Sequence, residues 1–196
     1  EVEAISRKLT KTTSAGDIQR SGIALGTFTN ITNAYEVMSA LILQYGDRIH
    51  IPGAESASIS AKTTQALRFY TVFADQQRPQ YSWNQNIKNS DSALADRTTV
   101  MTLGFAGDID RIRARNPNLS LKIVGFPQLK GAENPLTYGK LNFLTVSRSS
   151  INPFSAWEFA LYLASQDGAR QFLEKTGLPA ARRSFIAEGQ DKGDLE

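Results

Sequence analysis

His50 is the single imidazole in a chain of 196 residues that has no cysteine. A Ser-His-Asp or Cys-His arrangement therefore has one place to form, within Arg48-Ile49-His50-Ile51-Pro52, and no Gly-x-Ser-x-Gly nucleophile turn lies near it. His50 reads as an ordinary loop or edge-strand residue. One histidine and no thiol also argue against zinc, haem or an iron–sulfur cluster, so neither a metal nor a cofactor is expected. Paired carboxylates are the other route to hydrolysis. Asp108 and Asp110 stand two positions apart on an expected helix, point away from each other and cannot flank one glycosidic bond. Their place in the first turns suits them to offset the helix dipole. Arg111, Arg113 and Arg115 lie toward the other end of that helix, where cations complement the dipole, and no interleaved aromatics offer a base-stacking platform. With basic residues scattered and a net charge of +3, no nucleic-acid partner is expected. Neither a Gly-x-x-x-x-Gly-Lys-Ser/Thr loop nor a Gly-x-Gly-x-x-Gly turn is present to cradle a nucleotide. The glycosylation-type triplets Asn30-Ile31-Thr32 and Asn118-Leu119-Ser120 are given no role.

What remains is recognition chemistry in loops rich in amides, hydroxyls and aromatic rings. Thr27-Phe28-Thr29-Asn30-Ile31-Thr32-Asn33 and Gly104-Phe105-Ala106-Gly107 each follow an expected strand and precede a helix N-terminus, and Tyr81-Ser82-Trp83-Asn84 adds two rings. A neutral polyol asks for donors and acceptors that fork across adjacent hydroxyls, and for a flat ring against its C–H face. In open α/β sheets such loops converge at the carboxyl ends of strands, where ligands bind. Tyr81 and Trp83 have a second reading, as plugs at the base of a loop.

The elements that must carry these loops alternate short apolar strands with amphipathic helices, the pattern of an α/β fold. Ile5–Leu9 is the tail of a helix, and Gly22–Gly26 is a short strand. Asn33 to Glu36 reads as a capping box opening a helix with Ala34, Met38, Leu41, Ile42 and Tyr45 on one face, stopped by Gly46. A helix from about Ile59 presents Ala66, Tyr70, Phe73 and Ala74, and Ser90 or Asp91 caps a short helix through Leu94. A strand over Thr98–Leu103 leads to a helix over roughly 106–115, with Ile109 and Ile112 inward and Asn116-Pro117 as its stop. Leu119–Phe126 and Leu141–Val146 are expected strands. Asn152 and Pro153 open a helix whose face is Phe154, Trp157, Leu161 and Ala164, with Trp157 in the core, and Ser165 starts another that Gly177 ends. At 41% hydrophobic and 21% charged residues the chain can bury a core, while no apolar run is long enough to span a bilayer. The length suits one domain or one and a fraction, and the opening Glu1-Val2-Glu3, without an initiator Met, suggests a piece of something longer.

The order of these segments resembles the extracellular solute-binding proteins of ABC importers, of the carbohydrate-binding type. The resemblance runs over roughly residues 5 to 185. It is carried by Ser21-Gly22-Ile23-Ala24-Leu25-Gly26, Ala66-Leu67-Arg68-Phe69-Tyr70, Tyr81-Ser82-Trp83-Asn84, Ile112-Arg113-Ala114-Arg115-Asn116-Pro117, Gly125-Phe126-Pro127, Ala156-Trp157-Glu158-Phe159 and Leu178-Pro179-Ala180-Ala181-Arg182. Relatives have a Gly-Lys-Ala-Met-like run where this chain has Asp96-Arg97-Thr98-Thr99-Val100-Met101, which puts the turn before that strand in doubt.

The resemblance implies an α/β fold with a mostly parallel, helix-flanked sheet, an incomplete lobe of the type II periplasmic-binding-protein kind. Residues 1–138 correspond to the second lobe, 139–180 to the hinge crossing and a first-lobe-like strand with two helices, and 181–196 to a return segment and frayed tail. It further implies capture of a solute, a sugar or oligosaccharide, by hinge closure between two lobes, and docking on the membrane subunits of an ABC importer. By match to the family's cleft-facing loops, Thr29, Asn30 and Asn33 are expected to contact hydroxyls, Phe105 and Trp83 to stack, and Tyr138 to stand near the hinge. The place implied is extracellular or periplasmic, anchored as a lipoprotein in the full-length form. Two other classes compete: a glycoside hydrolase or esterase, and an interaction module that kept the lobe without transport. Turnover of chromogenic glycosides and esters marks the first, and a protein partner without any small ligand marks the second.

Overall fold

The computed structural model describes residues 1–49, 59–131, 135–140, 143–176 and 182–185. His50 and Gly177 lie outside them. The chain divides into two compact units, Glu1–Gly139 and Lys140–Glu196.

In the first unit, helix α1 (Val2–Leu9) leads into β1 (Lys11–Thr12) and β2 (Ile18–Ile23), and β3 (Thr99–Met101) completes a three-stranded sheet of order β1-β2-β3. β1 pairs with β2 antiparallel, and β2 pairs with β3 parallel in the register Ser21↔Thr99 and Ile23↔Met101. Parallel neighbours need a long crossover. Here it is α2 (Ala34–Gln44), α3 (Ala61–Thr71) with a 3-10 turn at Val72–Ala74, and α4 (Ser90–Ala95); α5 (Asp108–Arg115) follows β3. Where the strands meet, Thr99 Oγ1 lies 3.1 Å from Ser21 Oγ, so two buried hydroxyls satisfy each other.

The core sits between this sheet and α2–α4. It is built on Ile23, Leu25, Ile31, Val37, Leu41, Tyr70, Phe73 and Trp83, with Met38, Ile42 and Tyr45 packed against it. Fully burying one such large side chain contributes about 1.5–3 kcal/mol. α2 ends as its sequence predicts, with Gly46 in the left-handed region at φ +77. Its start is different. Asn33 is the N-cap, but its side chain makes no capping hydrogen bond; it reaches instead to Asp108, 75 positions on. α3 is capped by Ser60, whose hydroxyl oxygen accepts from the Lys62 and Thr63 amides, and Asn89, one position before the expected residue, caps α4.

The expected strand Leu119–Phe126 is corrected: these residues join no ladder, and Ile123 and Val124 are exposed. Alternating apolar residues make a strand only where a neighbour's amides and carbonyls pair with them, and no such ladder forms among the described residues. The stretch after it is held by Gln44, whose Nε2 donates to the Pro127 and Leu136 carbonyls at 3.0 and 3.2 Å while its Oε1 accepts from the Leu129 amide at 3.2 Å.

The second unit contains α6 (Pro153–Ala164) and α7 (Gln166–Thr176), which pack on each other. Pro153 stands in the first turn after Asn152, as its fixed φ predisposes it to. Ala169 and Phe185 are buried, and the Arg170 guanidinium lies 4.9 Å from the Phe185 ring centroid. Two expectations fail in this unit. Phe143 and Leu144, from the expected strand Leu141–Val146, are exposed and in no ladder; Leu141 and Asn142 lie outside the described residues. Trp157, expected in the core, is 53% exposed. The physical reason is that the apolar face of α6 is wider than its contact with α7, so Phe154 and Leu161 are left exposed beside it.

Candidate functional site

Two loops meet at the carboxyl ends of the parallel strands. The first, residues 24–33, leaves β2 and is locked from beneath. Trp83 is wholly buried, at 0% exposure, and its indole N–H donates to Asn30 Oδ1 at 3.0 Å. The Thr27 hydroxyl donates to the same oxygen. The other end of the Asn30 amide donates to the Asn84 and Ile87 carbonyls at 2.9 and 2.8 Å. A carboxamide offers two donors and one carbonyl oxygen with two lone pairs, and all four positions are taken. Tyr70 adds a further tie, its hydroxyl donating to the Thr27 carbonyl at 2.6 Å, and burial pushes that phenol well above its ordinary value. The Ser82 hydroxyl donates to the Ile23 carbonyl at 2.9 Å. On top of this platform Phe28 and Thr29 are exposed.

The second loop, Gly104–Gly107, leaves β3 and enters α5. Asp108, the first residue of α5, accepts from the Phe105 amide at 2.8 Å and from Asn33 Nδ2 at 2.7 Å. Its other oxygen accepts from Arg111 at 2.7 Å. Arg111 also forks onto Asp91 through Nε at 3.0 Å and a terminal nitrogen at 2.5 Å, and Asp91 is 5% exposed. A carboxylate so deeply buried needs a paired cation of this kind. Asp91, Phe105 and Asp108 border a cleft of about 920 Å³ that runs beside β3.

The six residues expected at the site are thus split. Phe105 is half-buried in the cleft's lining, whereas Thr29 is exposed on the first loop and is not among the lining residues. Asn30 has its whole amide engaged within the protein, and the Asn33 amide nitrogen donates to Asp108; neither residue is among those lining the cleft. The stacking role expected of Trp83 is corrected: neither face of a fully buried ring is free, and the plug reading of this residue describes what it does. Tyr138 is half-buried near the end of the first unit, outside the cleft lining. Sequence reasoning missed Tyr70 and Asp91 as loop ties, since nothing local marks a contact over 43 or 20 positions. The three-residue spacing of Asp108 and Arg111 was the one visible signal, and their i,i+3 ion pair is formed.

Asp108, a carboxylate in the cleft's lining, has both oxygens engaged by donors, and Asp110 is exposed and not among the lining residues. No cluster of three or more His, Cys, Asp or Glu side chains able to hold a metal occurs among the described residues. No helix among them is long and apolar enough to cross a membrane.

A parallel pair of strands with helical crossovers and polar, aromatic loops at its carboxyl ends is an α/β arrangement, and in such sheets ligands bind where those loops gather. Residues 13–195 match the family described as bacterial extracellular solute-binding protein, and the chain belongs to that family. Its members are binding proteins, not enzymes. A solved structure from Thermotoga lettingae TMO, an ABC transporter solute-binding protein bound with alpha-D-tagatose, is similar in fold with a TM-score of 0.66. The two are 18% identical, and the match covers 99% of this chain and 49% of that one. This chain therefore spans about half the length of that protein. No curated protein matches it in sequence.

Proposed function

We propose that this chain contributes the second lobe of a two-lobed protein that captures a neutral solute, a sugar or oligosaccharide, for an ABC importer. The observation that carries the reading is the fold match over nearly the whole chain to a sugar-bound solute-binding protein, together with family membership over residues 13–195. The division after Gly139 supports a hinge crossing that begins near Tyr138. The uncharged character of the two loops supports a neutral guest. Thr29 and Phe105 are the proposed contact residues, the first for hydroxyls and the second as a stacking ring. Asn30, Asn33 and Trp83 shape the loops that present them. Capture works by hinge closure: ligand contacts to both lobes shift the population to a closed form, which docks on the importer's membrane subunits outside the cytoplasmic membrane. In its full-length form the protein is held there as a lipoprotein. Because one lobe supplies only half of the contacts, the chain alone binds weakly.

The test is a fluorescence titration with D-tagatose and a panel of neutral mono- and oligosaccharides, on the chain and on Phe105→Ala. Saturable binding that weakens in Phe105→Ala supports the reading. Saturable binding of no neutral sugar in the panel overturns it.

A further inference from the structure

The Asp108 carboxylate is the point where three separate parts of the first unit are joined. It accepts from Asn33 at the start of α2, from the backbone amide of Phe105 in the loop after β3, and from Arg111, which carries the link on to buried Asp91 in α4. Each donor meets a charged acceptor, and such bonds are roughly twice as strong as neutral ones. Position adds to this, since Asp108 opens α5, where the helix dipole favours a negative charge. The fit is close. A Cβ on Gly104 would lie 2.8 Å from Asp108 Oδ2 and 3.2 Å from Asn33 Nδ2, so any side chain there displaces the carboxylate.

We infer that Asp108 is the positioning residue of the binding face: by gripping the Phe105 amide and Asn33 together, it sets where the Phe105 ring stands. This rests on the solute-binding reading above for its consequence, though not for its geometry. Asp108 itself spends no free oxygen on the guest. Its effect on affinity is transmitted through the loop that carries Phe105.

Two substitutions isolate the grip. Asp108→Ala removes the acceptor of all three donors. Gly104→Ala keeps the carboxylate and pushes it aside. Asp110→Asn, in the same turn and exposed, is the control. Amide hydrogen exchange at Phe105 and binding of the neutral sugar panel are measured on all three, with circular dichroism to establish that each is folded. The expected result is exchange at Phe105 accelerated about tenfold or more in Asp108→Ala and Gly104→Ala, with sugar affinity reduced and Asp110→Asn unchanged. Unchanged exchange at Phe105 in both variants overturns the grip. Accelerated exchange with undiminished sugar affinity overturns its role in binding. If the unmodified chain binds no sugar, the solute-binding reading fails and the role in binding with it, while the exchange result still decides the grip.

Discussion

Replacing Asn30 by alanine distinguishes a ligand-contacting amide from one that holds the protein together. The substitution removes four hydrogen bonds at once, those with Trp83, Thr27, Asn84 and Ile87. The Trp83 indole N–H then has no acceptor in a site with 0% exposure, and an orphaned buried donor costs about 1–3 kcal/mol. The two carbonyls are only partly buried and find water more easily, at about 0.5–1.5 kcal/mol each. Together these give a loss of about 2–6 kcal/mol, a large share of the roughly 5–15 kcal/mol that holds an ordinary domain. Urea unfolding followed by far-ultraviolet circular dichroism measures it. In a Trp157→Phe background Trp83 is the only tryptophan of the two, so its emission reports the same site; the account expects a shift to the red in Asn30→Ala. Trp83→Phe alone should cost less, because Asn30 keeps its other three partners, and the double variant should be less destabilised than the sum of the two by about 1 kcal/mol. A cost under about 1 kcal/mol for Asn30→Ala, with emission unchanged, refutes the interlocked loop and returns Asn30 to the guest.

Other consequences are more local. Asp47 is held down to about 2 by hydrogen bonds from the Ser60 and Thr63 hydroxyls and the Arg48 amide. Its folded value lies below its unfolded one, so its contribution is present above about pH 4 and lost as pH falls toward 2. Ser60→Ala should raise the Asp47 carboxyl toward the ordinary range in an NMR titration. Tyr70→Phe removes the donor to the Thr27 carbonyl and should cost about 1 kcal/mol in urea unfolding. Gln44→Ala releases the Pro127, Leu129 and Leu136 backbone groups, and limited proteolysis should cut within 127–136 faster than in the unmodified chain.

The parts of this structure that were legible in the sequence are those decided within one turn of helix or one strand. The apolar spacing of α2, α3 and α5, the Gly46 and Asn116-Pro117 stops and Pro153 at the start of α6 all act over a few residues, and all stand where expected. Asn33 shows where that reach ends. Its spacing to Glu36 is that of a capping box, but a carboxylate 75 positions away competes for its side chain and wins. Asn30 and Trp83 are both expected to contact the guest, and their pairing over 53 positions makes them one internal tie instead. The stretches 119–126 and 143–146 carry the alternation of strands but join no ladder among the described residues, and pattern alone cannot supply a partner. Trp157 is a related case: α6 forms where its pattern predicts, but its apolar face is wider than what packs on it.

The most direct measurement is equilibrium dialysis of the chain against D-tagatose and a series of neutral oligosaccharides, with the solutes then recovered and weighed by mass spectrometry. The account predicts weak, saturable retention of at least one of them and its return with mass unaltered. Retention of none, or recovery of a cleaved or modified product, contradicts it.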